Sequence, residues 1–101
     1  MTVRQTATPL SATVPLCQPE HHPQLVVTHG APVRHALGGP MPPLHHVECC
    51  RCQIATRPHP SRAIAESRWI DPSGRQRIPL SQITRAREEA LAALAAAAHA
   101  A

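Results

Sequence analysis

The stretch HHVECCRCQIAT, residues 45–56, holds three of the chain's four cysteines and two of its eight histidines. Cys49 and Cys52 stand in C-x-x-C spacing, which lets one tight turn carry both sulfurs to a single ion while backbone amides point at them. One such pair is half of a closed tetrahedral site. Upstream, LCQPEHH offers Cys17, Glu20, His21 and His22. His45 and His46 lie just before the pair and His59 just after it. A ribbon-type site takes one pair from each of two turns joined by a hairpin, and Cys17 with His21 is a Cys-x₃-His pair. The spacing therefore selects Cys17, His21, Cys49 and Cys52 as ligands, with Zn2+ as the expected ion. His22 is the substitute for His21. His46 is the local alternative, although neighbouring strand residues point to opposite faces, so it turns inward only if the strand bends. Cys50, inside the knuckle, is expected to face away from the metal as a half-buried thiol.

The same residues admit other chemistry. Thiol–disulfide exchange at Cys49 and Cys52 calls for a C-x-x-C at a helix start, where the dipole lowers the thiol pKa. Here Gln53–Thr56 reads as strand, with no βαβ pattern around it. A catalytic cysteine with a histidine partner needs an orienting group and a cleft, and neither is visible. A metal-free chain with idle cysteines also stays open, because only one of the two pairs is unambiguous. The expectation is a protein that is not an enzyme.

The elements that must position these residues are short. Residues 1–16, rich in Thr, Pro and Ala, read as a disordered or extended tail. Leu25–Thr28 and Val33–Leu37 are β-like runs with HGAP between them as a turn, and GGPMPP (38–43) is a loop. LHHVE (44–48) leads into the cysteines and IAT (54–56) leaves them, a strand–knuckle–strand pattern. PSRAIAESRW (60–69) is a helix candidate capped by Ser61, with Ala65 and Trp69 one turn apart and Ile64 on the adjacent flank. DPSG (71–74) is a turn and RIPL a short extended piece. From Ser81, a plausible N-cap, SQITRAREEALAALAAAAHAA is the strongest helix signal in the chain. Ile83, Ala90, Leu91, Leu94 and Ala98 form a thin apolar stripe on it, suited to the small domain or to a second copy in a homodimer through residues 81–101. A helix that is merely alanine-rich and protrudes is the simpler account. The expected fold is small α+β: a zinc-ribbon-like hairpin core with a short helix over 17–79, and a C-terminal helix over 80–101.

Composition explains why such a chain needs a staple. With 101 residues, one Trp, no Phe or Tyr and twelve prolines, it has few large side chains to bury. Alanine, which makes up much of the apolar fraction, removes little area from water at roughly 25 cal/mol per Å², and domains of this size are marginal. Trp69 and Ile64 are expected to cap the ribbon as its one sizeable apolar cluster, with Trp69 serving as core rather than stacking on a base. All ten basic residues are arginine, and six of them lie between 51 and 77 against only Glu66 and Asp71, a local excess equal to the whole chain's +4. Such a field suits a polyanion or an acidic protein surface. Arg51, Arg57, Arg62 and Arg68 are the candidate contacts, to nucleic acid or to a DNA-handling host protein; a solvated arginine face is the plain alternative. The segment MTVRQTATPLSATVPL lacks a signal-peptide pattern, and no stretch approaches the ~20 apolar residues of a membrane span. The expectation is a cytoplasmic protein without membrane attachment, in which clustered cysteines serve as metal ligands or catalytic groups more often than as disulfides.

VECCRCQIATRPHPSRAIAESRW, Val47 to Trp69, resembles the second half of the restriction-alleviation (Lar-like) zinc ribbons of bacteria and their prophages. Val47, Cys49, Cys52, Ala63, Ile64 and Trp69 match the family's valine, C-x-x-C, Ala-Ile pair and tryptophan. Gln53 stands where the family usually has glycine, and Ile70 where it usually has asparagine. Cys17 falls at the first position of the family's other C-x-x-C and Glu20 at the second, so that His21 or His22 must replace the missing thiolate. The C-terminal helix has no counterpart. The resemblance implies a small zinc-binding module of phage or mobile-element type, with a role in modulating host restriction. Two other classes remain: a structural or assembly protein acting through its C-terminal helix, and a thiol redox protein using the C-x-x-C.

Overall fold

The computed structural model describes residues 4–10, 14–15, 17–29 and 42–100, with side chains given as far as 97. Five strands, β1 (Arg4–Pro9), β2 (Gln24–His29), β3 (Leu44–Cys49), β4 (Ile54–Thr56) and β5 (Arg77–Pro79), form one antiparallel sheet in chain order. Helix α1 (Arg62–Ile70) lies between β4 and β5 in sequence. A 3₁₀ turn over Leu80–Gln82 leads into α2 (Ile83–Ala100). This is the small α+β architecture that the sequence implies. The run at Val33–Leu37 lies outside the described residues.

Alternation along the strands divides the core between two faces. Leu25 pairs with Val47 and Cys49 with Ile54, so these side chains share one face. Helix α1 packs there through Ala65 and Trp69, and Val14 completes the cluster. On the opposite face Ala55 and Ile78, directly paired, meet Ala86 from the start of α2, with Ile83 and Leu80 beside them.

Local chemistry fixes α1. Ser61 is extended and its Oγ accepts from the Ile64 N–H at 3.3 Å, an N-cap. The helix ends in an Asp71 turn, where the carboxylate accepts from the Ser73 N–H and hydroxyl; these bonds hold its pKa below the ordinary value. Gly74, at φ +64°, supplies the left-handed residue that closes the turn. Trp69 is 2 % exposed. Its indole N–H donates to the Pro15 carbonyl at 3.3 Å, and the Arg77 guanidinium lies 5.0 Å above its ring while also donating to the Trp69 carbonyl.

A register shift between β3 and β4 sets the route into α1. Glu48 faces Ala55 and Cys49 faces Ile54, but His45 pairs with His59, one residue further along than that register would give. The extra residue falls beside Pro58, which has no N–H to give the ladder. Arg57 turns its N–H to Gln76 instead, and the Thr56 hydroxyl accepts from the Val47 N–H at 2.9 Å. His59 Nδ1 accepts from the Ser61 N–H at 2.9 Å. Burial, then the Arg68 guanidinium and the His45 imidazole, hold its pKa below the ordinary value.

Four expectations change. Residues 4–9 are extended, as one half of the tail reading has it, but they are paired along the whole of β2 rather than disordered; every side chain in β1 is exposed, so backbone pairing holds it, with the Gln5 side-chain amide donating to the Thr28 hydroxyl at 3.2 Å. Ser81 does not cap α2: it sits inside the 3₁₀ turn, and no side-chain hydrogen bond caps that turn. Ile64 is 39 % exposed and does not share the core role of Trp69. Ala86 is the buried α2 side chain among the described residues, and Ala90, Leu91 and Leu94 further along are half-buried.

Trp69→Ala removes the largest core side chain and should lose about 3–5 kcal/mol, most of the stability of a domain this small. Ile64→Ala should lose under about 1 kcal/mol; urea denaturation of the metal-loaded proteins measures both. The depressed His59 pKa means that the unfolded chain binds the proton more readily. The stabilisation is complete above pH about 6.5 and is lost as pH falls through the folded value. Between pH 7.5 and 5.5 the urea midpoint of the wild type should therefore drop further than that of His59→Asn; equal drops would remove His59 from the account.

Candidate metal centre

Two turns at the same end of the sheet build the centre. The first precedes β2. Trp69 holds the Pro15 carbonyl, Val14 is buried, and two residues later Cys17 enters a turn closed by the His21 N–H donating to the Gln18 carbonyl at 3.1 Å. The second is the β3–β4 knuckle. Cys49 is the last residue of β3, and the Gln53 N–H donates to its carbonyl at 2.9 Å. Gln53 has φ 58°, the left-handed region that glycine occupies most easily, and its carbonyl accepts from the Leu80 N–H at 2.9 Å. Gln24 pairs with Glu48, which brings the start of β2 against the end of β3 and the two turns together.

One ligand atom from each of Cys17, His21, Cys49 and Cys52 lies within 4.8 Å of all the others. Cys17 Sγ is 3.4 Å from His21 Nδ1, 3.5 Å from Cys49 Sγ and 3.6 Å from Cys52 Sγ. His21 Nδ1 is 3.2 Å from Cys52 Sγ and 3.6 Å from Cys49 Sγ. Cys49 is buried and the other three are half-buried. These are the four residues that the spacing selects, and together they could hold a metal ion.

The electrostatics favour a cation. Burial, then the neighbouring Cys49 and Cys52 thiols, push the Cys17 thiol up to about 12. Cys49 moves the other way: burial raises it, but the Cys52 and Arg51 amide N–H groups and the Cys17 thiol outweigh that and lower its pKa. Three sulfurs this close cannot all carry charge unless a positive ion sits among them.

The remaining candidates stand elsewhere. His22 and Glu20 are exposed. His46 is buried on the opposite face of β3 and pairs with Glu48 Oε1 at 2.8 Å. His45 is on the Cys49 face but four residues away, bridged to His59, with its buried Nδ1 unpartnered among the described residues. Cys50 faces away from the cluster as expected, but it is exposed rather than half-buried. The four arginines do not form one patch. Arg51 is exposed beside the knuckle, in a shallow cavity with Gln18, Glu20 and His21. Arg57 is exposed at the other end of β4. Arg62 pairs with Glu66 at 2.8 Å. Arg68 donates to the Arg57 and Pro58 carbonyls at 2.9 and 3.4 Å, a structural role; burial and the Arg57 charge lower its pKa. Sequence reasoning passed over the Trp69–Pro15 bond that places Cys17, because neither its donor's partner nor its span of 54 residues has a local signature.

Fold and centre together define a small α+β protein with a three-cysteine, one-histidine cluster suited to a metal. Comparison with known families, curated proteins and solved structures finds no match to this chain. No helix among the described residues is long and apolar enough to cross a membrane.

Cys17→Ser and His21→Ala should each weaken metal binding by more than the roughly 10- to 100-fold that loss of an outer partner costs, and Cys50→Ser should leave it unchanged. Competition with a chelating dye reads all three. An affinity lost equally in Cys50→Ser would show that the knuckle uses a different thiol.

Proposed function

We propose that this chain is a zinc-binding module without enzymatic activity, which contacts nucleic acid or a DNA-handling host protein through its exposed arginines. The observation that carries the reading is the tetrahedron of donors. Zinc–sulfur bonds of about 2.3 Å and zinc–nitrogen bonds of about 2.0–2.1 Å give tetrahedral edges of roughly 3.8 and 3.5 Å. Five of the six edges here, all but Cys49–Cys52, run from 3.2 to 3.6 Å, and the sixth is within 4.8 Å, a close fit for one small ion. Three thiolates and an imidazole are the soft donor set that favours zinc over magnesium or calcium. All four ligand positions come from the chain, as in a structural site, and the bound ion would supply folding free energy.

The C-x-x-C lies in a hairpin turn and not at a helix start, so no helix dipole activates its thiols; this favours the non-enzymatic reading over thiol redox chemistry. The net charge of +4 and the arginine-only basic set favour a polyanionic partner. The resemblance to Lar-like zinc ribbons points to a protein of phage or mobile-element type that modulates restriction. Gln53 in the left-handed region supports it, since that is the backbone state for which the family's glycine at this position is suited. A second reading rests on α2, whose half-buried Leu91 and Leu94 lie beyond the turn that meets the sheet: an assembly role through pairing of this helix in a homodimer.

Metal analysis of protein purified without chelator should give one zinc per chain, and EDTA should abolish the folded circular dichroism signal. An unchanged spectrum with no bound ion would sink the zinc reading. Duplex DNA binding should weaken steeply with salt and drop about 10-fold or more in Arg51→Ala with Arg57→Ala. A dimer lost on deleting residues 90–101, with no DNA binding, would favour assembly.

A further inference from the structure

A narrow groove on the face away from the metal centre, of about 140 Å³, is lined by Arg57, Ile78, Gln82, Arg85, Ala86 and Glu89. We propose that it binds a single phosphate group. A nucleic-acid phosphodiester as the source of that group rests on the proposed function; the site itself does not.

Five observations meet there. The floor is apolar, because Ile78 and Ala86 are the buried contact between β5 and α2. The rim carries two guanidinium groups from elements that approach from different directions, and the Gln82 amide adds a further donor. Arg57 is fixed at its backbone, since its N–H donates to Gln76 at 2.8 Å and its carbonyl accepts from Arg68 at 2.9 Å, while its side chain is exposed. The first turn of α2 contains no acidic residue, and Arg85 stands in it, where the helix dipole disfavours a cation. A bound anion would relieve that conflict. The volume of about 140 Å³ is enough for a tetrahedral oxyanion.

One group opposes the anion. Glu89 lines the same groove and pairs with Arg85 at 3.3 Å, with Arg85 83 % and Glu89 57 % exposed. Exposed pairs of this kind are weak, and a phosphate would take Arg85 from it. The carboxylate therefore acts as a competitor, and its removal should tighten binding. A groove that is merely a packing crevice would not respond in that direction.

The test is amide chemical-shift titration of the metal-loaded full chain with inorganic phosphate, against chloride at equal ionic strength. Saturable shifts are expected around Arg57, Gln82 and Arg85. Arg57→Gln and Arg85→Gln should each weaken binding at least about 5-fold, and Glu89→Gln should tighten it about 2- to 5-fold. The exposed positions of all three keep the fold intact, which the unchanged shifts of the Trp69 cluster verify. Shifts that do not saturate, or that are the same in Arg57→Gln and Arg85→Gln, overturn the site. A parallel titration with duplex DNA separates the sources. Loss of about one unit of salt slope in Arg85→Gln supports a phosphodiester ligand. Phosphate binding with DNA affinity unaffected by Arg85→Gln keeps the site and removes the nucleic-acid source. DNA binding without any phosphate effect refutes the site and leaves the proposed function standing.

Discussion

Three sulfur atoms and an imidazole nitrogen gathered within 3.6 Å of their neighbours hold the chain's two loop systems at one point. Without a positive charge among them the sulfurs cannot all ionise, because burial and the neighbouring Cys49 and Cys52 thiols push the Cys17 thiol up to about 12. A divalent ion bound among them would turn the same crowding into a cross-link between the two turns. The apolar core could not do this unaided: its large members are Leu25, Leu44, Trp69, Ile78 and three valines, with alanine and cysteine filling the rest. At roughly 1.5–3 kcal/mol for each fully buried large side chain, such a core offsets only part of the conformational entropy of ordering the chain.

The second constraint is the one-residue slip between β3 and β4. Pro58 cannot donate to the ladder, and the chain accommodates it by moving His59, not Pro58, opposite His45. The Thr56 hydroxyl takes the Val47 N–H that a regular ladder would have given to a carbonyl. Ser61 then arrives with its N–H on His59 and its hydroxyl on the first turn of α1, so the helix starts where Trp69 reaches back to Pro15. In this way a proline six residues after Cys52 helps to place Cys17, and the metal site depends on a hydrogen bond across 54 residues of sequence.

What the sequence made legible was what local chemistry decides. IAT is strand β4, Ser61 caps α1, Ala65 and Trp69 share its buried side, and C-x-x-C with Cys-x₃-His converge, because each depends on a few neighbours and a fixed period. What stayed hidden depends on distant partners. Nothing in RQTATP marks a strand, since β1 buries no side chain and is held only by pairing with β2. Ser81 looks like a cap, but the 3₁₀ turn uses its backbone instead. Ala86 is one alanine among many until the sheet selects it. The count of arginines was readable; their distribution was not, because a shift of strand register sends neighbouring residues to opposite faces.

That distribution changes how the metal relates to any partner. Helix α1 and the knuckle occupy one face of the sheet, and the start of α2 occupies the other. Arg68 and Arg77 are spent on carbonyls and on the Trp69 ring, so they brace the metal-bearing face rather than extend from it. Arg57 alternates with Thr56 and emerges on the α2 side, next to Arg85. A bound ion therefore would not need to touch what the arginines touch. Its part would be to fix β3 and β4, and with them the backbone from which Arg57 projects, so that the clamp on one face of the sheet would also set the position of charge on the other.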